Sequence, residues 1–348
     1  MTTVHYVGFD VHKKSVSYCI KTAAGAIVKQ GKLPSKRDAL LSWASERDTP
    51  WHGAMEATLF SGWIYDTLQP YATQLEMANP RELEAITKAK KKSDPIDARK
   101  MADLLRCDLL PACYVAPPHM RELRRLLRYR SLMVREAVRM KNRMAGLLME
   151  TGSEYDRERL HGRQYFDQLL DSLQDIPVSV KQLLQLTRSS LETFEFVQRR
   201  VLKMLASDQP LQQRVALLET IPGVGEITAL TWALEIGEPG RFSSVRQACS
   251  YCGLTAAFRS SADKQQRGPI SKQRNKHLQA TLIEAAKLAP RWNPALAQVH
   301  ARELDRGHRN RATLAVARKL VAYLLAVDRS GKPFQLPAQP AAVAGEPT

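Results

Sequence analysis

A carboxylate inside a strand pattern constrains this chain more than any other feature. Residues 4–11, Val4-His5-Tyr6-Val7-Gly8-Phe9-Asp10-Val11, carry the apolar and aromatic run of a first β-strand. A charge in the middle of such a strand is costly unless it is paired or holds a cation. A second run, His52-Gly53-Ala54-Met55-Glu56-Ala57, ends close to another carboxylate. Asp94 and Asp97 stand three residues apart behind Ser93, with Pro95 between them, at a helix start. That spacing turns both to one side of the helix. Capping the helix and holding a metal are compatible roles for this pair. Asp10, Glu56, Asp94 and Asp97 thus offer four oxygen ligands from three elements. The set suits Mg²⁺, or Mn²⁺ in its place, as hard cations that act on phosphates.

The order of elements gives these residues a common frame. Three strands are predicted over 4–11, 15–21 and 26–32, separated by His12-Lys13-Lys14 and Ala23-Ala24-Gly25. A helix over 36–46, a strand over 52–57, a helix over 60–70 and a strand over 74–79 follow, then helices from Pro80 onward. This βββαβαβα order is that of an RNase H-like α/β domain. There the first strand, the fourth strand and a late helix converge at one edge, and those elements carry Asp10, Glu56 and the Asp94/Asp97 pair.

The charge balance points to a polyanionic partner. There are 52 Lys and Arg against 35 Asp and Glu, a formal net charge of +17. The basic residues are spread over several elements, which favours nucleic acid over a membrane surface. No run of about 18 apolar residues is present, so no membrane span is expected. The first residues lack a basic stretch followed by an apolar one, so a cytoplasmic location, in contact with the nucleoid, is expected. The five cysteines, Cys19, Cys107, Cys113, Cys249 and Cys252, fit a reduced compartment. Cys249-Ser250-Tyr251-Cys252 has the spacing of half a zinc site, but no second CxxC or well-spaced His pair complements it. The expectation is small buried residues on a helix.

Beyond residue 115 the chain changes character. Leu123, Leu126, Leu127, Met133, Val134, Val138, Met144, Leu147 and Leu148 recur at three- and four-residue steps, as in one or two long helices that could form a dimerising coiled coil. Between Arg121 and Arg143 nine basic residues accompany two acidic ones, which suits a nucleic-acid-facing stripe as well as a solvated face. A break is expected over 161–177, then helix to about residue 206. Pro222-Gly223-Val224-Gly225 between two helix patterns is a helix–hairpin–helix signature. Its Gly223 and Gly225 would let the backbone approach a phosphate, and it implies DNA contact without sequence preference; a plain tight turn is the alternative. Residues 258–272 read as a basic loop, followed by helices over 275–288 and 311–326, and a Pro- and Ala-rich tail over 331–348 reads as disordered. The tryptophans Trp43, Trp51, Trp63, Trp232 and Trp292 read as core or interface residues. The organisation expected is 1–115, 116–206, 207–330 and the tail 331–348.

Taken in order, several short motifs resemble the DEDD-type insertion-sequence transposases, also called bridge-RNA-guided recombinases. They are Gly8-Phe9-Asp10-Val11-His12-Lys13, Met55-Glu56-Ala57-Thr58 and Lys91-Lys92-Ser93-Asp94-Pro95-Ile96-Asp97-Ala98. Ile221-Pro222-Gly223-Val224-Gly225, Ser250-Tyr251-Cys252-Gly253-Leu254, Arg259-Ser260-Ser261 and Gly268-Pro269-Ile270-Ser271-Lys272 complete them. The resemblance implies a RuvC-like N-terminal domain, a coiled-coil linker and a mostly α C-terminal transposase domain with a nucleophilic serine. By position Asp10, Glu56, Asp94 and Asp97 are the implied metal ligands and Ser261 the implied nucleophile. Two departures stand out: Ala262 where the family usually has Gly, and Arg274-Asn275 where it usually has Gly-Asn. Ser260 therefore stays open beside Ser261.

The expected chemistry is attack of the serine hydroxyl on a DNA phosphorus, leaving a covalent seryl phosphoester that conserves bond energy for rejoining. A serine hydroxyl is a poor nucleophile and needs activation, and a metal at the carboxylates polarises the phosphate. Arg259, Lys264, Arg267 and Lys272, with Lys91 and Lys92 next to the acidic site, would hold the backbone. The implied partners are donor and target DNA, a noncoding guide RNA that carries target choice by pairing, and further copies of the chain as a dimer or tetramer. The serine and the carboxylates, far apart in sequence, would meet across domains or subunits. The competing reading is a metal-dependent nuclease of Holliday-junction-resolvase type that uses water and leaves Ser261 structural. A non-catalytic nucleic-acid-binding protein is the third, and four intact carboxylates weigh against it.

Overall fold

Strand β1 (His5–Val11) is the centre from which the N-terminal unit grows. It pairs antiparallel with β2 (Ser15–Lys21), which pairs with β3 (Ile27–Pro34), and parallel with β4 (Trp51–Glu56) on its other side. β5 (Gln74–Ala78) continues parallel to β4, and the short β6 (Ala112–Cys113) closes the sheet in the order β3-β2-β1-β4-β5-β6. The computed structural model describes residues 3–87, 93–261 and 264–335; over 258–261 and 264–267 it describes the backbone alone. Two compact units divide the chain, Met1–Pro118 and His119–Thr348.

Alternation along β1 sends its side chains to two different layers. Val7, Phe9 and Val11 are buried with Trp51, with Leu40, Trp43 and Ala44 of α1 (Arg37–Ser45), and with Ile64 and Leu68 of α2 (Ser61–Leu68). Phe9 meets the rings of Trp43 and Trp51 edge-on, at 5.3 and 6.0 Å. The opposite face carries α3 (Pro80–Thr87) and α4 (Asp94–Arg106), whose Leu83, Met101 and Leu105 pack with Ala54 and Ala78. Lys21 of β2, nearly buried, donates to Asp103 of α4 at 2.5 Å and pins that helix across the sheet.

The second unit is mostly helical. α5 (Pro118–Glu150), α6 (Arg163–Ser172) and α7 (Val178–Ala206) share a core of Ala137, Met144, Leu147, Leu148, Phe166, Leu169, Leu184 and Leu191. The two long helices are present as expected, but the break expected at 161–177 holds a helix of its own. Its apolar residues, Tyr165, Phe166, Leu169 and Leu170, fill barely one helical period, too short to stand out. The apolar stripe of the distal part of α5 is covered within the chain by α6 and α7.

α8 (Gln209–Glu219), α9 (Glu226–Ile236), α10 (Val245–Tyr251), α11 (Lys276–Leu288), α12 (Pro294–Leu304) and α13 (Arg309–Ser330) build a second core around Trp232. Cys249 and Cys252 lie inside this core, and burial pushes the Cys249 thiol up to about 11 and the Cys252 thiol further still. All five cysteines are free. α13 ends at Gly331 in the left-handed conformation. Contrary to the expectation of a disordered tail from 331, Phe334 packs its ring on Tyr323 at 4.8 Å, and its N–H donates to the Thr220 hydroxyl at 2.8 Å. Residues 336–348 lie outside the described residues.

The basic segment 258–272, expected as a loop, is largely a β-hairpin. β7 (Ala256–Ser261) pairs antiparallel with β8 (Lys264–Ile270), Ser261 opposite Lys264 and Arg259 opposite Gln266. The sequence hides it because Arg259-Ser260-Ser261 and Lys264-Gln265-Gln266-Arg267 carry no apolar alternation. Among the described residues no helix is long and apolar enough to cross a membrane.

Candidate metal centre and hairpin serine

Parallel pairing of β1 with β4 puts the ends of both strands at one edge of the sheet. Phe9 lies opposite Met55, so the next residues, Asp10 and Glu56, come level at that edge. α4 reaches the same edge because of Gly8. A Cβ at Gly8 would stand 2.1 Å from the carbonyl oxygen of Ala98 and 2.4 Å from the amide of Ala102. Only glycine allows this approach. The contact presses α4 onto β1 two residues before Asp10, so the first turn of the helix, with Asp94 and Asp97, faces the Asp10 carboxylate. Ser93 is the N-cap of α4 but makes no side-chain cap bond.

The result is a cleft of about 740 Å³ lined by Asp10, Glu56, Asp94 and Asp97, together with His12 and Glu84. His12 Nε2 is 3.1 Å from Asp10 Oδ2 and 3.6 Å from Asp94 Oδ1. Lys32 of β3 donates to the other oxygen of Asp94 at 3.1 Å, and Lys100 sits 3.6 Å from Asp97. Burial raises the Asp10 carboxyl above its ordinary value; His12 pulls it back, and the charges of Asp94 and Asp97 push it up again. The Lys32 hydrogen bond holds Asp94 below its ordinary value.

This donor set fits a divalent cation. Asp10, His12 and Asp94 each offer one ligand atom, and the three atoms lie within 4.8 Å of one another. Carboxylates gathered this closely raise each other's proton affinity, a cost that a cation between them removes. Sequence reasoning named the four carboxylates and did not assign His12, Glu84, Lys32 or Lys100 to the site. Glu84 comes from α3, Lys32 from the exposed strand β3, Lys100 from α4, and His12 from the turn after β1, where it stood in a motif without a role. Lys91 and Lys92 lie outside the described residues.

The candidate serine belongs to the other unit. Ser261 is the last residue of β7, and Ser260 precedes it opposite Gln265. Their side chains, with those of Arg259, Lys264 and Arg267, fall where only the backbone is described. Lys272 follows the end of β8.

The foot of the hairpin is tied to the core. Ser271 N–H donates to Thr255 O at 3.0 Å, Asn275 N–H to Tyr251 O at 3.0 Å, and Arg318 Nε to Leu254 O at 2.8 Å. Asn275 also caps α11, accepting from the amides of His277 and Leu278, and donates to Glu235 Oε2 at 2.8 Å. Glu235, 0% exposed, receives two bonds of 2.7 Å from Arg128 of α5.

Gly223 and Gly225 separate into two roles. Gly223 has φ +92° and packs on Ala289, where a Cβ would come within 2.7 Å. A Cβ at Gly225, the N-cap of α9, would meet open space. So Gly223 is required by internal packing, and Gly225 alone leaves backbone open to a partner. Glu226 follows at the first helical position, an acid where a phosphate contact would want none.

A carboxylate-lined cleft at the edge of a mixed sheet is the frame for comparison with known proteins. Residues 7–152 match a family model of DEDD type described as a transposase, and residues 215–301 match the transposase IS116/IS110/IS902 family. The chain is 28% identical over 195 residues to "Putative transposase y4qE" of Sinorhizobium fredii, covering 56% of this chain and 47% of that protein. It is 26% identical to the transposase for insertion sequence element IS1328 of Yersinia enterocolitica, over 81% of this chain and 84% of that one. The transposase for IS1111A of Coxiella burnetii is 25% identical, over 76% and 74%. The chain therefore spans about half the length of the first relative and about three quarters or more of the other two. It belongs to the IS110-type family of insertion-sequence transposases.

Proposed function

We propose that this chain cuts and rejoins DNA for an insertion sequence, with divalent-metal help at the carboxylate cleft and through a covalent phosphoester on Ser261. The observation that carries the reading is the meeting of Asp10, Glu56, Asp94 and Asp97 around one cleft. The sheet order, with β1, β4 and β5 parallel, supports an RNase H-like, RuvC-like reading of this unit.

Asp10, Glu56, Asp94 and Asp97 would hold Mg²⁺ or Mn²⁺, which when bound supplies the positive charge that polarises a scissile phosphate. Asp10, with its raised proton affinity, binds in the ionised state, and Lys32 and Lys100 orient the neighbouring carboxylates. The Ser261 oxygen attacks phosphorus as one backbone P–O bond breaks, and the hydroxyl proton ends on the departing deoxyribose oxygen. The phosphodiester bond energy stays in the seryl ester, so the reverse attack by another strand end reseals DNA without ATP. Ser260 is the neighbouring alternative.

Arg259, Lys264, Arg267 and Lys272, with Lys91 and Lys92, would hold the backbone by charge. The turn from Ile221 to Gly225 would act as a helix–hairpin–helix contact, with open space beside Gly225 for a phosphate to approach. Apolar residues of the long helices that stay exposed, such as Leu132, Val138, Leu186 and Phe196, would pair copies of the chain as a coiled coil, and a guide RNA would choose the target. The test is strand exchange on a labelled element junction with the native flanking DNA co-expressed. Asp10→Asn and Ser261→Ala each abolish exchange while leaving the fold intact; exchange that survives either substitution refutes the corresponding role.

A further inference from the structure

We propose that His12 is itself a metal ligand, and that the imidazole biases the cleft toward Mn²⁺ over Mg²⁺. The inference rests on reading the acidic cleft as a metal centre, and goes beyond the four carboxylates.

The geometry of the ring carries it. Two ligand atoms bound at right angles to one ion, each at about 2.1 Å, stand about 3.0 Å apart. His12 Nε2 is 3.1 Å from Asp10 Oδ2 and 3.6 Å from Asp94 Oδ1, spacings of that order in both directions. The nitrogen that hydrogen-bonds Asp10 without an ion thus lies near Asp94 as well, where a third ligand would stand once the ring gives up that proton. Its backbone is fixed there: His12 N–H donates to Ser15 O at 2.9 Å, and the Ser35 hydroxyl donates to His12 O at 2.7 Å.

The lysine on Asp94 supports the same reading. Lys32 takes Asp94 Oδ2 at 3.1 Å, while Asp94 Oδ1 is the oxygen turned toward His12. An ammonium that holds the outer oxygen of a carboxylate leaves the inner one aimed at a common point with the ring, as an outer partner of a metal ligand does. The His12 side chain is 53% exposed, so an ion reaches it from solvent without unfolding anything.

Ion choice follows from donor chemistry. Mg²⁺ takes oxygen donors and keeps its waters, whereas imidazole nitrogen suits first-row transition ions. Carboxylate oxygens suit Mg²⁺ and Mn²⁺ alike. Between Mg²⁺ and Mn²⁺, a mixed set of carboxylates and one imidazole favours Mn²⁺, the transition ion of the two. Removing a ligand costs at least the roughly tenfold that losing an outer-shell partner costs.

The test uses the full-length chain and Mn²⁺ alone. Pulsed electron paramagnetic resonance reads whether a ¹⁴N nucleus is bonded to the ion, and titration calorimetry reads Mn²⁺ and Mg²⁺ affinity. The expected result is bound Mn²⁺ with directly coordinated nitrogen. That signal should vanish in His12→Gln, with Mn²⁺ affinity down about tenfold or more and Mg²⁺ affinity changed less. Circular dichroism confirms that the variant is folded. Mn²⁺ that binds, is lost in Asp10→Asn, and shows no nitrogen coupling overturns the role of His12 and leaves the carboxylate centre standing. No bound Mn²⁺ at all overturns both.

Discussion

Replacing Glu235 with Gln should loosen the foot of the β7–β8 hairpin and destabilise the unit around it. Glu235 is 0% exposed and accepts from Arg128 twice and from Asn275 once. A Gln offers one acceptor oxygen, and its amide group turns a donor toward a donor. Asn275 cannot flip to help, because its oxygen already caps α11 through His277 and Leu278. The loss is at least one charge-assisted hydrogen bond, about 1.5–3 kcal/mol, and a buried donor left without an acceptor. Breaking a fully buried ion pair costs about 3–5 kcal/mol. Arg128 is 46% exposed, so water recovers part of its share. We expect about 2–4 kcal/mol, or a fall in midpoint on the order of 10 °C.

The pH dependence is the second readout. Burial would raise the Glu235 carboxyl, but the Arg128 hydrogen bonds and charge, then Asn275 and Arg124, outweigh it and hold it below 4.5. A carboxyl depressed in the folded state stabilises the fold above its unfolded value and stops doing so as pH falls through the folded one. The gap between wild type and Glu235→Gln should therefore be full at neutral pH, begin to shrink below 4.5 and close as pH falls through the depressed folded value. Urea titrations at several pH values, followed by circular dichroism, measure it. A variant within about 0.5 kcal/mol of wild type at pH 7, or a gap that does not close in acid, refutes the argument.

Three further expectations are quick to check. Gly8→Ala drives a methyl into the backbone of α4; it should cost about 3 kcal/mol or more and weaken Mn²⁺ binding, and thermal melts with calorimetry read both. Gly225→Ala should fold like wild type but bind duplex DNA more weakly, while Gly223→Ala, with positive φ and Ala289 in the way, should lower the melting temperature; equal DNA binding in Gly225→Ala removes that turn from the interface. Cys107 should react with a maleimide in the native state, whereas Cys249 and Cys252 should react only in denaturant, and mass spectrometry counts the labels.

The N-terminal sheet was legible because its strands alternate and its turns are marked by Lys-rich and Gly-containing breaks. Asp10 stood out as a charge inside an apolar run and Glu56 as one at the end of a second run. The hairpin of β7 and β8 was not legible, since its polar and basic residues carry no apolar alternation and the composition reads as loop. His12, Lys32 and Glu84 join the site through three-dimensional pairing at the sheet edge, which no local period encodes. Gly8 did leave a signal: a glycine inside a strand pattern marks a close backbone approach, here the α4 contact that brings Asp94 to Asp10.

The central claim, covalent DNA cleavage dependent on the carboxylate cleft, is tested most directly by trapping. The full chain is incubated with a labelled element junction and Mg²⁺ or Mn²⁺, denatured in detergent, and resolved by size. The account requires a protein–DNA adduct that disappears in Ser261→Ala and in Asp10→Asn. Nicked DNA without any adduct, lost only in Asp10→Asn, would make this a metal-dependent nuclease and contradict the role of Ser261.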